Sequence, residues 1–336
     1  MRGIFLSTSF IGGLIVSALC LAGAFWFTDF QSLLDTLTDF DPMFAMVGLF
    51  FTFIHIFIRN ARWVAMIDAR VSFANALWAQ GVGFIFTLFM PLRLGDGVRA
   101  IVLASIDKIS IWSSGMSVIM ERGIDVAALL CLAAVLVPFI GLDGMPASAM
   151  GKIILAIILA VIAALIALKV IRRFASVRFS TMAGQLKNEF MASLQFLCRP
   201  NVAARVGFLT LLGWIVGVFR HWVILLAFVP DATLVQAAFL TIMLTLAISV
   251  PSSPGFIGVF QFVGQQALVI PFAATFDPVN ALSITIALHL CLVITCTVIG
   301  GIGIMVTVKR MGEDHIIGRI FERARDWKRK LYQPGP

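Results

Sequence analysis

Long apolar stretches recur along this chain from residue 4 to residue 307, with no polar interruption long enough to form a water-soluble unit. Those at about 4–27, 42–59, 109–138, 153–171, 205–229 and 279–307 are each long enough for a helix to cross a hydrocarbon core of ~30 Å. Two further apolar stretches, 75–105 and 233–271, are interrupted halfway. The first is broken by Pro91-Leu92-Arg93-Leu94-Gly95-Asp96-Gly97 and the second by Pro251-Ser252-Ser253-Pro254-Gly255-Phe256-Ile257-Gly258. Proline and glycine in these positions end a helix, so both stretches are predicted to be broken or re-entrant helical hairpins. The pattern describes an all-α, polytopic membrane protein with about six full spans.

The connections sort by charge. Residues 28–41 carry Asp29, Asp35, Asp39 and Asp41 and no base, whereas 172–205 carries Arg172, Arg173, Arg178, Lys187, Arg199 and Arg205 against one Glu189. The stretch from Lys309 and Arg310 to Lys330 is basic as well. Lys and Arg accumulate in cytoplasmic loops, so both termini and the loops 60–74 and 172–205 are expected in the cytoplasm. If residue 74 is inside and residue 140 outside, the 109–138 span supplies the one net crossing, and 75–105 has to enter and leave from the cytoplasmic side. The 233–271 stretch lies between outer connections near 230 and 277, and is either re-entrant from the opposite face or a pair of crossings. Both breaks read P-x-x-x-G. With opposite entry sides that suggests an inverted repeat, an arrangement that places transport sites near the bilayer midplane.

Met182, Leu186, Phe190 and Leu194 recur at helical spacing within the cytoplasmic 172–204 segment, as do Ile316, Ile320, Phe321, Ala324, Trp327 and Leu331 among basic residues. Each fits a helix lying on the inner leaflet or one docked on the protein itself. The Gly213 and Gly217 spacing is that of a close helix contact.

Composition gives a membrane domain over 1–307 and a basic cytoplasmic tail over 308–336. The chain is 60% hydrophobic and 12% charged, with mean hydropathy +1.03, too apolar for a wetted surface. The net charge of +8 is no sign of nucleic-acid binding, because the bases cluster between apolar stretches, where topology accounts for them. Cysteines 20, 131, 198, 291 and 296 form no CxxC pair and read as small buried residues. The first stretch is too long for a cleaved leader and has no A-x-A site, so it is expected to remain as a span.

Charge inside the apolar stretches is the pointer to function, since an ionised group at the bilayer centre costs ~2.5–3.5 kcal/mol. Glu121, Arg122 and Asp125 fall in the middle of 109–138. Glu121 and Asp125 are one helical turn apart, and Ser110, Ser114 and Ser117 extend their side into a polar stripe that has to face protein or a wet cavity. Arg93, Asp96 and Arg99 lie at the first break, and Arg220 with His221 lies inside 205–229. These ions can neutralise one another for structural reasons. Four arginines nevertheless stand against three carboxylates, and an anionic guest such as a lipid phosphate would complete the balance. At the second break the prolines leave backbone N–H groups near Gly255 and Gly258 without partners. With Ser252, Ser253 and a helix starting after Pro254, that is an anion site by geometry, although a tight turn would use similar residues. The segment 144–152 lacks the spacing of a P-loop and the four histidines follow no metal-binding pattern, so no catalytic residue, metal or cofactor is expected.

The series Pro91-x-Arg93-x-Gly95-Asp96-x-x-Arg99, Glu121-Arg122-x-x-Asp125 and Pro251-x-x-Pro254-Gly255-x-x-Gly258-x-Phe260 resembles the lysylphosphatidylglycerol synthase transmembrane-region family of flippase-like membrane proteins. The motifs follow the family's order over nearly the whole chain, with Asp96 where the family often has glutamate. The resemblance implies movement of an anionic, aminoacylated, hopanoid or glycosylated lipid between leaflets of the cell (inner) membrane, without an enzymatic step. The tail of about 29 residues is too short for an aminoacyl transferase domain, so a stand-alone member is expected. The candidate substrate-binding set is Arg93, Asp96, Arg99, Glu121, Arg122, Asp125, Arg220, Ser252, Ser253, Pro254, Gly255 and Gly258. Two other readings stay open: a glycosyl- or acyl-transferring component with Glu121 or Asp125 as base, and a noncatalytic assembly partner of a lipid-modifying enzyme. Membrane lipids are the expected partners, with a second copy of the chain or a lipid-synthesis enzyme beside them, and nucleic acid is not expected.

Overall fold

The computed structural model describes residues 8–26, 28–68, 71–90, 94–136, 181–249 and 252–311. The expected span at 153–171, the amphipathic stretch 316–331 and the residues Pro91, Arg93 and Pro251 lie outside them. Every regular element among the described residues is helical. In chain order these are α1 (Thr8–Trp26), α2 (Phe30–Thr38), α3 (Pro42–Ala65), α4 (Phe73–Phe89), α5 (Gly95–Ile106), α6 (Ile111–Leu136), α7 (Thr181–Leu197), α8 (Pro200–Phe228), α9 (Leu234–Ala247), a 3₁₀ turn (Pro254–Phe256), α10 (Val259–Val269) and α11 (Pro278–Met311). Helices α3, α8 and α11 are long and apolar enough to cross a membrane by length and composition. The 26 residues of α6 are also long enough, but they carry Glu121, Arg122 and Asp125.

Helix ends fall where capping chemistry puts them. The acidic 28–41 connection is not a plain loop: Asp29 accepts from Ser32 N at 2.8 Å and starts α2, whose Leu33 packs against Ala24 and Leu282. Asp41 accepts from Met43 N at 2.8 Å and Pro42 opens α3, while Thr233 and Gln236 form a capping box on α9. Acids that serve the charge bias are thus also helix caps.

Helix α3 runs past the expected end of its apolar stretch, to Ala65. Residues placed in a loop by composition, Arg62 and Trp63, are buried on it. Helix α3 packs along α8, with Gly213 and Gly217 facing Ile58 and His55. Helix α4 packs along α11, where a Cβ on Gly303 would stand 2.7 Å from Trp78 O and one on Gly300 2.8 Å from Gly81 O. Small residues let these backbones approach, as membrane helices require. Of the amphipathic 172–204 segment, α7 is docked on the protein: Leu194 shares a core with Ala65, Met66, Met120 and Val206, and Phe190 packs on it. Cys291 and Cys296 are buried as expected, whereas Cys131 and Cys198 are exposed.

The ends of the bundle keep the charge sorting of the sequence. At one end Arg199 lies 3.7 Å from Asp68, Ser72 N donates to Asp107 at 3.1 Å, and Arg310 reaches Asn75, which donates to Asp107. At the other, Phe40 stacks on Phe228 at 4.8 Å, Gln265 donates to Pro278 O at 3.0 Å and Gln236 reaches Thr275 at 3.3 Å. The α4–α5 hairpin therefore has both its ends at the basic end of the bundle, and the α9–α10 hairpin has both at the acidic end. At ~1.5 Å per residue, the 17 residues of α4 reach only about 25 Å and the 12 of α5 about 18 Å. The end of α4 meets the second break, since a Cβ on Gly255 would lie 3.6 Å from Leu88 O.

Within the first hairpin, a Cβ on Gly83 would stand 2.7 Å from Gly95 O, and one on Gly95 would run into Gly83 O and Thr87 Oγ1. Gly95→Ala is expected to splay the hairpin and cost about 1–3 kcal/mol, read as a lower Tm in detergent. An unchanged Tm would contradict this close approach.

Candidate functional site

Helix α6 turns its polar stripe inward. Ser114, Ser117 and Glu121 are buried, and Trp63 Nε1 donates to Ser117 Oγ at 2.8 Å, tying α3 to α6. Glu121, with no exposed side-chain surface, is the hub of an ion cluster. Its Oε1 accepts from Arg59 Nε at 2.8 Å and lies 3.2 Å from Arg62 Nη2, and its Oε2 accepts from Arg99 Nη2 at 2.7 Å. Arg62 also reaches Asp125 Oδ1 at 2.7 Å. Arg122 Nη2 lies 2.8 and 2.7 Å from the two oxygens of Asp96, and Arg99 Nε is 3.3 Å from Asp96 Oδ1. The Arg99 guanidinium sits 4.7 Å from the Trp63 ring centroid, a cation–π contact on a desolvated face.

The structure thus brings together Asp96, Arg99, Glu121, Arg122 and Asp125, as the sequence suggests. It adds Arg59, at the last position of the expected span, and Arg62, in the expected 60–74 loop, neither of which was singled out from the sequence. The available signal is their spacing: Arg59-x-x-Arg62-Trp63 continues the helical period of α3 by one turn and puts both guanidinium groups on one face.

Beside this cluster lies a cavity of about 180 Å³ between α3, α6, α8, α9 and α11. Arg59, Arg62, Arg122 and Asp125 form its charged wall, and Phe84, Trp214, Phe260, Leu288 and Leu292 line the apolar part. Thr52, His55, Thr210, His221, Thr241 and Thr245 are the neutral polar lining, and Arg220 completes it. Thr241 donates its hydroxyl proton to Ala237 O at 2.7 Å, so it accepts from His221 Nδ1 at 2.7 Å. His221 Nε2 then accepts from Arg220 Nη2 at 3.0 Å. No carboxylate among the described residues lies within ion-pair distance of Arg220, and its Nε is buried without a hydrogen-bond partner.

The second break is built differently from the open anion cradle expected of it. Ser253 N donates to Ser17 Oγ of α1 at 3.0 Å, Ser253 Oγ donates to Ile257 O at 2.8 Å, and Gly258 N donates to Gln261 Oε1 at 2.8 Å. Gln261 Nε2 in turn donates to His289 Nδ1 at 2.8 Å, leaving His289 Nε2 to donate to Gly255 O at 2.8 Å. Phe260 stacks on the His289 ring at 4.9 Å. Of the N–H groups expected to be free near Gly255 and Gly258, that of Gly258 is taken by Gln261, and Ser253 N is taken by Ser17 because α1 covers the break. Pro254 opens the 3₁₀ turn, α10 starts at Val259, and Ser252 Oγ is buried without a partner. Ser252, Ser253, Pro254, Gly255 and Gly258 form a closed scaffold behind Phe260, which faces the cavity. Among the described residues no group of His, Cys, Asp and Glu is arranged to hold a metal ion.

Glycosyltransferase AglD of Haloferax volcanii is 25% identical to the chain over 345 residues, an alignment covering 89% of this chain and 54% of that protein. The chain spans about half the length of that relative. No solved structure matches it. The profile of the lysylphosphatidylglycerol synthase TM region matches residues 10–300, and the chain belongs to that family.

Proposed function

We propose that this protein moves a polar, anionic lipid between the leaflets of the cell membrane, carrying the headgroup through the cavity beside the Glu121 cluster while the acyl tails stay in lipid. The observation that carries this reading is a cavity with a cationic wall and an aromatic–aliphatic remainder inside a bundle of apolar helices. Ionised groups are held in such surroundings only when paired or facing a polar path. Membership of a family described as a synthase transmembrane region supports a lipid as cargo.

Packing supports a transporter built from two inverted halves. Exchanging the set α3, α4–α5, α6 with the set α8, α9–α10, α11 turns the main contacts into others that are present: α3 on α8 maps to itself, and α4 on α11 becomes α9 on α6. Likewise α5 on α6 becomes α10 on α11. With hairpin bases at opposite ends, the two breaks act as re-entrant hairpins and the cavity lies near the midplane. Both termini are then cytoplasmic. Single cysteines at Ala192 and Asp231, in a background without native cysteines, should react with an impermeant thiol reagent from the cytoplasmic and the outer side respectively. Labelling of both from one side would overturn this topology.

The transport test is a leaflet-resolved assay in proteoliposomes, comparing wild type with Asp125→Asn across anionic, aminoacylated and polyprenyl-linked lipids. Lipid movement by wild type and its loss in the variant are expected; no movement of any lipid would defeat the reading. The relative's name, a glycosyltransferase, favours a second reading in which the chain is the membrane component of a glycosyl-transferring system. Sugar turnover by the purified chain with a lipid-linked donor would distinguish it.

A further inference from the structure

We propose that Arg220, rather than the arginines of the Glu121 cluster, anchors the ligand's anionic group, and that the cavity takes a headgroup ending in a phosphoryl dianion in preference to a cationic, aminoacylated one. This assignment rests on the cavity being the lipid's polar site.

Four of the five guanidinium groups are already engaged by carboxylates. Arg122 holds both oxygens of Asp96, Arg99 is shared by Glu121 and Asp96, Arg62 by Glu121 and Asp125, and Arg59 is on Glu121. A ligand phosphate would have to displace a buried carboxylate to take any of them fully, leaving that carboxylate uncompensated. Among the described residues Arg220 has only a neutral hydrogen-bond partner. The His221 ring can accept just one hydrogen bond from it, and Thr241 holds the ring in the tautomer that does so. The remaining N–H groups of the guanidinium keep the planar fork that grips phosphoryl oxygens in pairs.

Charge sets the class of ligand. Arg59, Arg62, Arg99, Arg122 and Arg220 face Asp96, Glu121 and Asp125, an excess of two positive charges among the described residues. A phosphomonoester carries about −1.5 to −2 at neutral pH and matches that excess. An aminoacylated headgroup brings ammonium groups, for which the cavity offers one carboxylate, Asp125, already in contact with Arg62 at 2.7 Å. Trp214, Phe84 and Phe260 line the same cavity and suit the acyl or prenyl carbons next to the phosphate.

Native mass spectrometry of the purified full chain, titrated with phosphatidate, phosphatidylcholine, lysylphosphatidylglycerol and inorganic phosphate, tests this. Wild type should bind phosphatidate at least tenfold tighter than the lysylated lipid. Arg220→Gln should lose about tenfold or more for phosphatidate with phosphatidylcholine unchanged, and Arg220→Lys should recover part of it. Arg199→Gln, at an exposed arginine paired with Asp68, should change nothing. His221 and Thr241 are positioning residues: Thr241→Val should weaken phosphatidate binding a few-fold and Thr241→Ser restore it, which also serves if Arg220→Gln fails to fold. Equal affinity of inorganic phosphate and phosphatidate, both dependent on Arg220, would support the anchor and name free phosphate as its ligand. Tighter phosphatidate would name the lipid. Arg220-dependent binding without translocation would support the anchor and remove the transport reading. Unchanged phosphatidate affinity in folded Arg220→Gln, or in Thr241→Val should the glutamine variant not fold, would overturn the anchor. Wild-type binding of the lysylated lipid as tight as phosphatidate would overturn the preference.

Discussion

Glu121→Gln is expected to destabilise the protein by about 3–5 kcal/mol and to abolish transport with it, because the side chain is the shared counter-ion of three arginines. Burying a charge without a partner is among the costliest single changes a fold can suffer, and here Arg59 and Arg99 would lose their closest carboxylate contact together. Asp125 is the instructive contrast. Its side chain is 23% exposed, it makes one short ion pair, with Arg62, and it faces the cavity. Asp125→Asn should therefore cost about 1 kcal/mol or less, in the range of partly solvated pairs, while removing lipid movement. Thermal unfolding in detergent gives the first quantity for both variants, and the proteoliposome assay gives the second. If both variants fell equally in Tm, the division between a structural hub and a cavity-facing acid would be wrong.

The second large effect is expected at Gly258. Its φ of 91° with ψ of −60° lies in a region that a side chain makes very costly, and a Cβ there would run into the backbone oxygen of Ser17 on α1. Gly258→Ala should cost about 3 kcal/mol or more, from backbone strain and from pushing α1 off the second break. Gly255 has a left-handed φ of 68°, but a Cβ on it would meet nothing closer than 3.6 Å. Gly255→Ala should cost only the left-handed penalty of about 1–2 kcal/mol. Tm gives the ranking, and limited proteolysis gives the release of α1 in the first variant. Equal losses would mean that α1 does not seat on the break as described.

Sealing this break with α1 makes its small residues part of a packed scaffold. Gln261 and His289 stand in α10 and α11 much as Arg99 and Glu121 stand in α5 and α6: one near the start of the shorter helix, the other about ten residues into the long helix that follows. The first pair is charged and the second neutral, while Arg220 on α8 lines the cavity between them.

The sequence by itself determined most of the helices and where they break, but not the α2 turn or the last turn of α3. Apolar runs, proline–glycine interruptions and the four-residue period of Ser117, Glu121 and Asp125 are properties of neighbours along the chain, and helices, breaks and an inward polar face follow from them without knowledge of any other segment. The charge-sorted connections likewise came out at opposite ends of the bundle. Which charges meet was decided by the tertiary structure. Arg59 and Glu121 are 62 residues apart, and Ser17 and Ser253 are 236 apart. A count of charges can say that arginines outnumber carboxylates, but not which arginine is left without one. That depends on reach and direction across packed helices, where pairing in a low-dielectric interior is strong at ~3 Å and weak a few ångströms further out. Packing therefore drew Arg62 inward from an apparent loop, spent the Ser253 and Gly258 donors of the second break on Ser17 and Gln261, and left Arg220 lining the cavity with no carboxylate partner among the described residues.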